Sequence, residues 1–259
     1  MHHLKLLTLL VAFFLIPQLE GCSGKKKPTT ASNDGAQTEP SGAHKKNGRP
    51  TRSQEIIKWA EAEWDFFGRQ TIQLDSAGES IPHVGHWEDD GDPWSSRVRV
   101  YWSSVGKPSL DGFDCKQPWS AAFISYVMQA AGLSRGEFPG SDAHWNYIRY
   151  FTQGNPSAAF ATHKITEYSP EEGDLICATR GSHGFIPVYD HLNTSTVLMG
   201  HAKLHCDIVV EKNKDYLLTI GGNVRNSVSK TKIPLGKKGF LKPSEQRPWF
   251  VVLESKLDP

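Results

Sequence analysis

The stretch from Ser120 to Ala131 constrains this chain more than any other. Ala121, Ala122, Phe123, Ile124, Val127, Met128 and Ala131 recur at helical spacing and make a wide apolar face. A helix this apolar is stable only when buried against another layer. Pro118 and Trp119 lead into it, Ser120 stands at its start, and Gly132 closes it as a C-terminal glycine.

The flanking sequence says what that layer is. Residues 53–67 carry Ile56, Ile57, Ala60, Trp64 and Phe67 at helical spacing, with Thr51 or Ser53 as cap and Gly68 as stop. Residues 69–92 are polar and turn-rich; His83, His86, Glu88, Asp89, Asp90 and Asp92 cluster there, as a metal site or, since no spacing fixes ligand geometry, more simply as a solvated loop. A second helix starts at Asp92-Pro93, Asp as cap and Pro in the first turn, and runs through Val98, Tyr101, Trp102 and Val105 to Gly106. A shorter helix follows at 142–151. Beyond residue 165 the texture changes to strands, expected at 174–179, 204–211, 216–221, 227–233 and 249–253. Helices followed by adjacent strands predict an α+β fold, N-terminal helices packed on an antiparallel sheet of about five strands. Residues 181–200 form a long insertion of the kind used as lids or binding loops.

The 259 residues do not all belong to that domain. Residues 1–21 read as a secretory leader: His2, His3 and Lys5, then an apolar run from Leu6 to Ile16. The run is about 11 residues, too short for a bilayer core of about 30 Å. Leu19-Glu20-Gly21-Cys22 resembles the bacterial lipoprotein box, which implies acylation of Cys22; Ser23 after it points to the outer membrane, facing the periplasm. Residues 22–52 have almost no apolar side chains and read as a disordered tether. Residues 53–259 remain for one domain. A net charge of +1 gives no argument for nucleic acid. Eight tryptophans fit either a well-packed core or a carbohydrate-contacting groove.

Four segments together carry a resemblance: Pro118–Gly132, Glu172-Gly173-Asp174-Leu175-Ile176, His205–Val210, and Gly221-Gly222-Asn223 followed by Ser227-Val228-Ser229. In this order they resemble the papain-like NlpC-type and CHAP-type domains of bacterial cell-wall hydrolases. The closest branch is a family of bacterial lipoproteins of unknown function. The resemblance covers roughly residues 53–254. It implies a nucleophile at the start of the buried helix, a histidine base on a strand, and cleavage of amide bonds in peptidoglycan. Ser120 then falls on the nucleophile, His205 on the base, and Asn223 on a position that orients the imidazole.

Ser120 stands where those families have cysteine. A serine hydroxyl needs a well-placed base, because a helix dipole cannot ionise it. Three readings stay open: Ser120 as nucleophile, Ser120 as a helix cap only, or Cys115 as an alternative nucleophile. If Ser120 and His205 meet, Cys115 and Cys206 come close, so they are either disulfide-bonded or separately buried; Cys177 reads as a core thiol. His144, Trp119 and Ser141 are candidates for a substrate cleft, with packing on Trp145 the plainer role for His144. Histidines 183, 191 and 201 are too irregularly spaced for zinc, and no metal or cofactor is expected. The expected partners are peptidoglycan and, through the N-terminal lipid, the membrane. The main expectation is an envelope lipoprotein that binds peptidoglycan and hydrolyses an amide bond in it. Its rivals are a catalytically inactive binding or scaffold lipoprotein and an envelope-tethered neutraliser of an antibacterial effector.

Overall fold

The computed structural model describes residues 49–76, 78–180, 187–192, 202–242, 244 and 247–258. The expected leader, Cys22, most of the tether, most of the 181–200 insertion, His183 and His201 lie outside the described residues.

Among the described residues, four α-helices and eight strands alternate unevenly. Helix α1 (Arg52–Phe66) starts with a reciprocal cap in which Gln54 N–H donates to Thr51 Oγ1 and Thr51 N–H to Gln54 Oε1. Strands β1 (Gln70–Asp75) and β2 (Gly78–His83) form a hairpin. Helix α2 (Asp92–Ser104) has Pro93 in its first turn and Gly91, not Asp92, as its cap. Helices α3 (Ser120–Ala130) and α4 (His144–Thr152) follow. The remaining strands are β3 (Phe160–His163), β4 (Leu175–Thr179), β5 (Leu204–Lys212), β6 (Tyr216–Val224), β7 (Ser227–Pro234) and β8 (Trp249–Ser255).

All eight strands join one sheet in the order β2-β1-β7-β6-β5-β4-β8-β3. The sheet is mixed, because β1 runs parallel to β7. This corrects the expected five-stranded antiparallel sheet. Two of the added strands lie in the segment expected to be a polar loop. There Gln70 and Ile72 alternate inward, so a buried glutamine hides the strand period. Pro82 in β2 is tolerated because β2 is an edge strand. The third addition, β3, is a four-residue strand on the opposite edge.

The central strands are buried on both sides. Leu175 and Cys177 of β4 join the core shared with the helices, whereas Ile176 and Ala178 join a smaller cluster with Val209, Leu217, Ile233, Trp249 and Val252. Within the larger core, α3 buries eight of its residues. The β6–β7 turn is Arg225-Asn226, both at positive φ (55° and 59°), which suits a tight hairpin. Gly221-Gly222-Asn223 is therefore not that turn; it lies within β6, at a register irregularity.

Gly222 explains how α3 reaches the sheet. A Cβ on it would lie 2.5 Å from Phe123 Cβ and 2.6 Å from Trp119 Cζ3, so only glycine lets the start of α3 rest on β6.

Candidate active site

Ser120 is the first residue of α3, and the cap position belongs to Trp119, which makes no side-chain cap bond. The Ser120 hydroxyl instead bonds two histidines. Its Oγ lies 2.7 Å from His205 Nδ1 and 2.9 Å from His144 Nε2. The cap-only reading of Ser120 is thus overturned. The first N–H groups of α3 have no partner within the helix.

His205 comes from β5. Two residues on, on the same face by strand alternation, stands Asp207. Its Oδ1 accepts from His205 Nε2 at 2.7 Å. Ser120, His205 and Asp207 expose 1%, 3% and 1% of their surface. Room for the pair comes from Gly221 on β6, where a Cβ would lie 1.9 Å from Asp207 Oδ1 and 3.0 Å from His205 Nε2. The two glycines thus clear two different contacts, Gly222 for α3 and Gly221 for the His205–Asp207 hydrogen bond.

The protons are assigned by one constraint. Burial pushes the Asp207 carboxyl up, but His205 and the charges of Arg247 and Arg180 outweigh it and hold it below the ordinary value. An ionised carboxylate only accepts. His205 therefore carries its proton on Nε2. Burial, with Arg180 and Arg247, also pushes the His205 imidazole down beyond what Asp207 restores, so the ring is neutral at pH 7 and Nδ1 accepts. Ser120 donates to it. The Ser120 oxygen then accepts from His144 Nε2–H, and His144 Nδ1 accepts from the Tyr147 hydroxyl. All bonds of this chain run one way: Tyr147 to His144 to Ser120 to His205 to Asp207.

His144 opens α4 and exposes 6% of its surface. Burial, then the neighbouring His205 and Arg180, push it well below the ordinary histidine value. Its ring lies 5.7 Å from that of His205, at 66°. The sequence offered His144 a place beside a cleft or packing on Trp145; the structure puts it on the Ser120 hydroxyl. Asp207 and Tyr147 were not foreseen. Strand alternation from His205 could have found Asp207, and the helical i, i+3 spacing from His144 could have found Tyr147.

Asn223 does not orient the imidazole. Its backbone O and Oδ1 accept from Arg180 Nη2 at 2.9 and 3.1 Å, and its Nδ2 donates to Glu88 Oε2 at 3.2 Å. Glu88 is not in a solvated loop either; it is 1% exposed and also accepts from Trp119 Nε1. Burial raises its carboxyl to about 7. Trp119 lines no cleft: it is core, stacked on Tyr101 at 5.5 Å. Ser141 builds the turn before α4, exchanging backbone bonds with Ser125 Oγ at 2.8 and 2.9 Å, and it borders a surface groove of about 420 Å³ with Asn146 and Arg149.

The cysteines pair differently from the expectation. Cys206 is bonded to Cys177, directly opposite on β4, and not to Cys115. Cys177 is therefore no free core thiol. The Cys115 sulfur lies 3.5 Å from the carbonyl oxygens of Gly112 and Phe113, in the turn before α3; Ser120, not Cys115, holds the bond to His205.

Residues 79–255 match the model of a family described as "Uncharacterized protein conserved in bacteria (DUF2272)". The chain belongs to this family. The matched span contains Ser120, His144, Tyr147, His205, Asp207 and Gly221, so the whole relay lies within the DUF2272 region, whereas α1 and β1 precede it. No curated protein and no solved structure matches the chain.

Proposed function

We propose that this DUF2272 chain is a serine hydrolase of the cell envelope that opens an amide bond in the peptide part of peptidoglycan. The observation that carries the reading is the buried relay Ser120–His205–Asp207, with 2.7 Å at each link. A nucleophile, a base and a group that orients the base are what acyl transfer by serine requires. Ser120 Oγ attacks the acyl carbon and passes its proton to His205 Nδ1. Asp207 stabilises the imidazolium. The leaving nitrogen takes that proton as the C–N bond breaks, and water then hydrolyses the acyl-serine by the same route. The envelope setting and the peptidoglycan substrate are supported by the leader with its lipoprotein-like box and by the ordered resemblance to cell-wall hydrolases. Among the described residues, no helix is long and apolar enough to cross a membrane.

A second reading, a binding lipoprotein without turnover, is favoured by one observation: Ser120 is 1% exposed, so a substrate reaches it only if covering groups move. Mass spectrometry of muropeptides incubated with wild type, Ser120→Ala, His205→Ala and Asp207→Asn separates the two. A product made by wild type and lost in Ser120→Ala and His205→Ala supports the hydrolase. Sacculus binding with no product in any variant supports the binding protein.

A further inference from the structure

Resting on the hydrolase reading, we propose that His144 is a second catalytic residue: its Nε2–H is the side-chain donor for the oxyanion formed when Ser120 attacks. Tyr147 is the positioning residue that keeps the His144 proton on Nε2. The relay leaves His144 no other part. Ser120 gives its proton to His205, whose direction Asp207 determines, so His144 is not needed as a base. It faces the serine oxygen as a donor, 2.9 Å away, and its other nitrogen is occupied by the Tyr147 hydroxyl.

The step favours the transition state over the ground state. As the bond from Oγ to the acyl carbon forms, the carbonyl π pair moves onto its oxygen and the Oγ proton moves to His205. The serine oxygen becomes an ester-type oxygen and a poorer acceptor. The new anionic oxygen is bonded to the same carbon as Oγ, two bonds from the atom that this N–H faces at 2.9 Å. His144 thus exchanges a bond to a neutral hydroxyl for a charge-assisted one. When the intermediate collapses, the pair returns to the carbonyl, the scissile bond breaks, and the leaving group takes its proton from His205. His144 starts and ends neutral. Its place as the first residue of α4, at the positive end of that helix, also opposes protonation.

The test uses the full chain with 4-nitrophenyl acetate as probe, and ¹⁵N spectra of the histidines. His144→Phe keeps a ring and removes the donor. Its kcat is expected to fall on the order of 10²–10³-fold, with KM within about threefold and the pH limb of His205 unmoved. Wild-type spectra are expected to show the His144 proton on Nε2. Tyr147→Phe, which removes one hydroxyl, is expected to mix the two tautomers and lower kcat several-fold; it also carries the test if His144→Phe does not fold. Ser120-dependent turnover that His144→Phe leaves intact overturns the inference alone. A loss borne by KM, a shifted His205 limb, or a proton on Nδ1 overturns it equally. Turnover by wild type that Ser120→Ala does not abolish, or none at all, sinks the hydrolase reading and the inference with it.

Discussion

Replacing Gly221 with alanine is the sharpest structural test of the relay. Gly221 is not at positive φ, so alanine meets no backbone strain there and the effect is purely steric. The new Cβ would stand 1.9 Å from Asp207 Oδ1. Ordinary contact begins near 3.4 Å, so the carboxylate must retreat by about 1.5 Å. That retreat breaks the 2.7 Å bond to His205 in a place where neither partner meets water. Overpacking costs about 1–3 kcal/mol, and leaving the buried carboxylate without its donor costs at least about 1–3 kcal/mol. Partial relaxation leaves about 3 kcal/mol, or roughly 6–12 °C in Tm for a domain of this size. Thermal unfolding followed by circular dichroism reads it. Gly136→Ala is the control, since its Cβ meets nothing closer than 3.9 Å. In an Asp207→Ala background the clash with Oδ1 is gone, so the penalty of Gly221→Ala should shrink by more than half. An equal penalty in both backgrounds, or a Tm drop under about 2 °C in the first, would refute the reasoning.

Other outcomes follow from the same geometry. On the proposed hydrolase reading, Asp207→Asn removes the charge that stabilises the imidazolium formed on His205; at about 4 Å and an effective dielectric near 20 that is about 4 kcal/mol, so kcat should fall roughly 10³-fold with little change in fold. The acid limb of the wild-type pH–rate profile should lie below the ordinary histidine range, because burial lowers His205. Glu88 works the other way on stability: its folded value, about 7, is above the unfolded one. Its contribution is fully present below about pH 4.5 and is lost as pH rises through 7, on the order of 3 kcal/mol. Glu88→Gln should therefore gain stability relative to wild type between pH 5 and pH 8, read from melting curves across that range. Cys177→Ala with Cys206→Ala opens a 29-residue loop and should cost about 3–4 kcal/mol of stability by the chain-entropy argument.

The helices were legible because their apolar residues repeat every three to four positions, and α3 most of all because eight of its 11 residues are buried. The central strands carry runs of Ile, Val and Leu that burial on two faces demands. What stayed hidden depends on distant partners. Strand β1 buries Gln70 because its Nε2 finds Ser229 Oγ at 2.8 Å and the Val224 carbonyl at 3.2 Å, on β7 and β6. No local pattern reveals that a glutamine has such a berth, so the segment reads as loop. The parallel β1–β7 pairing joins residues about 160 apart and leaves no local trace at all.

The site shows the same division at finer grain. That Ser120 and His205 meet was legible because the helix start and the strand are local features. Asn223 was assigned by its place beside a glycine pair, and that placement misled. The glycines are there for clearance, Gly222 for α3 and Gly221 for Asp207, while Asn223 ties Glu88 to Arg180. The carboxylate that His205 does bond needed only the period of a strand: residues 205 and 207 share a face, and one is a histidine and the other a carboxylate. Cys206 between them follows the same alternation, facing Cys177 across β4 instead of the turn that holds Cys115. The disulfide thus pins β5 to β4 at the residue between His205 and Asp207, which holds both of them in register.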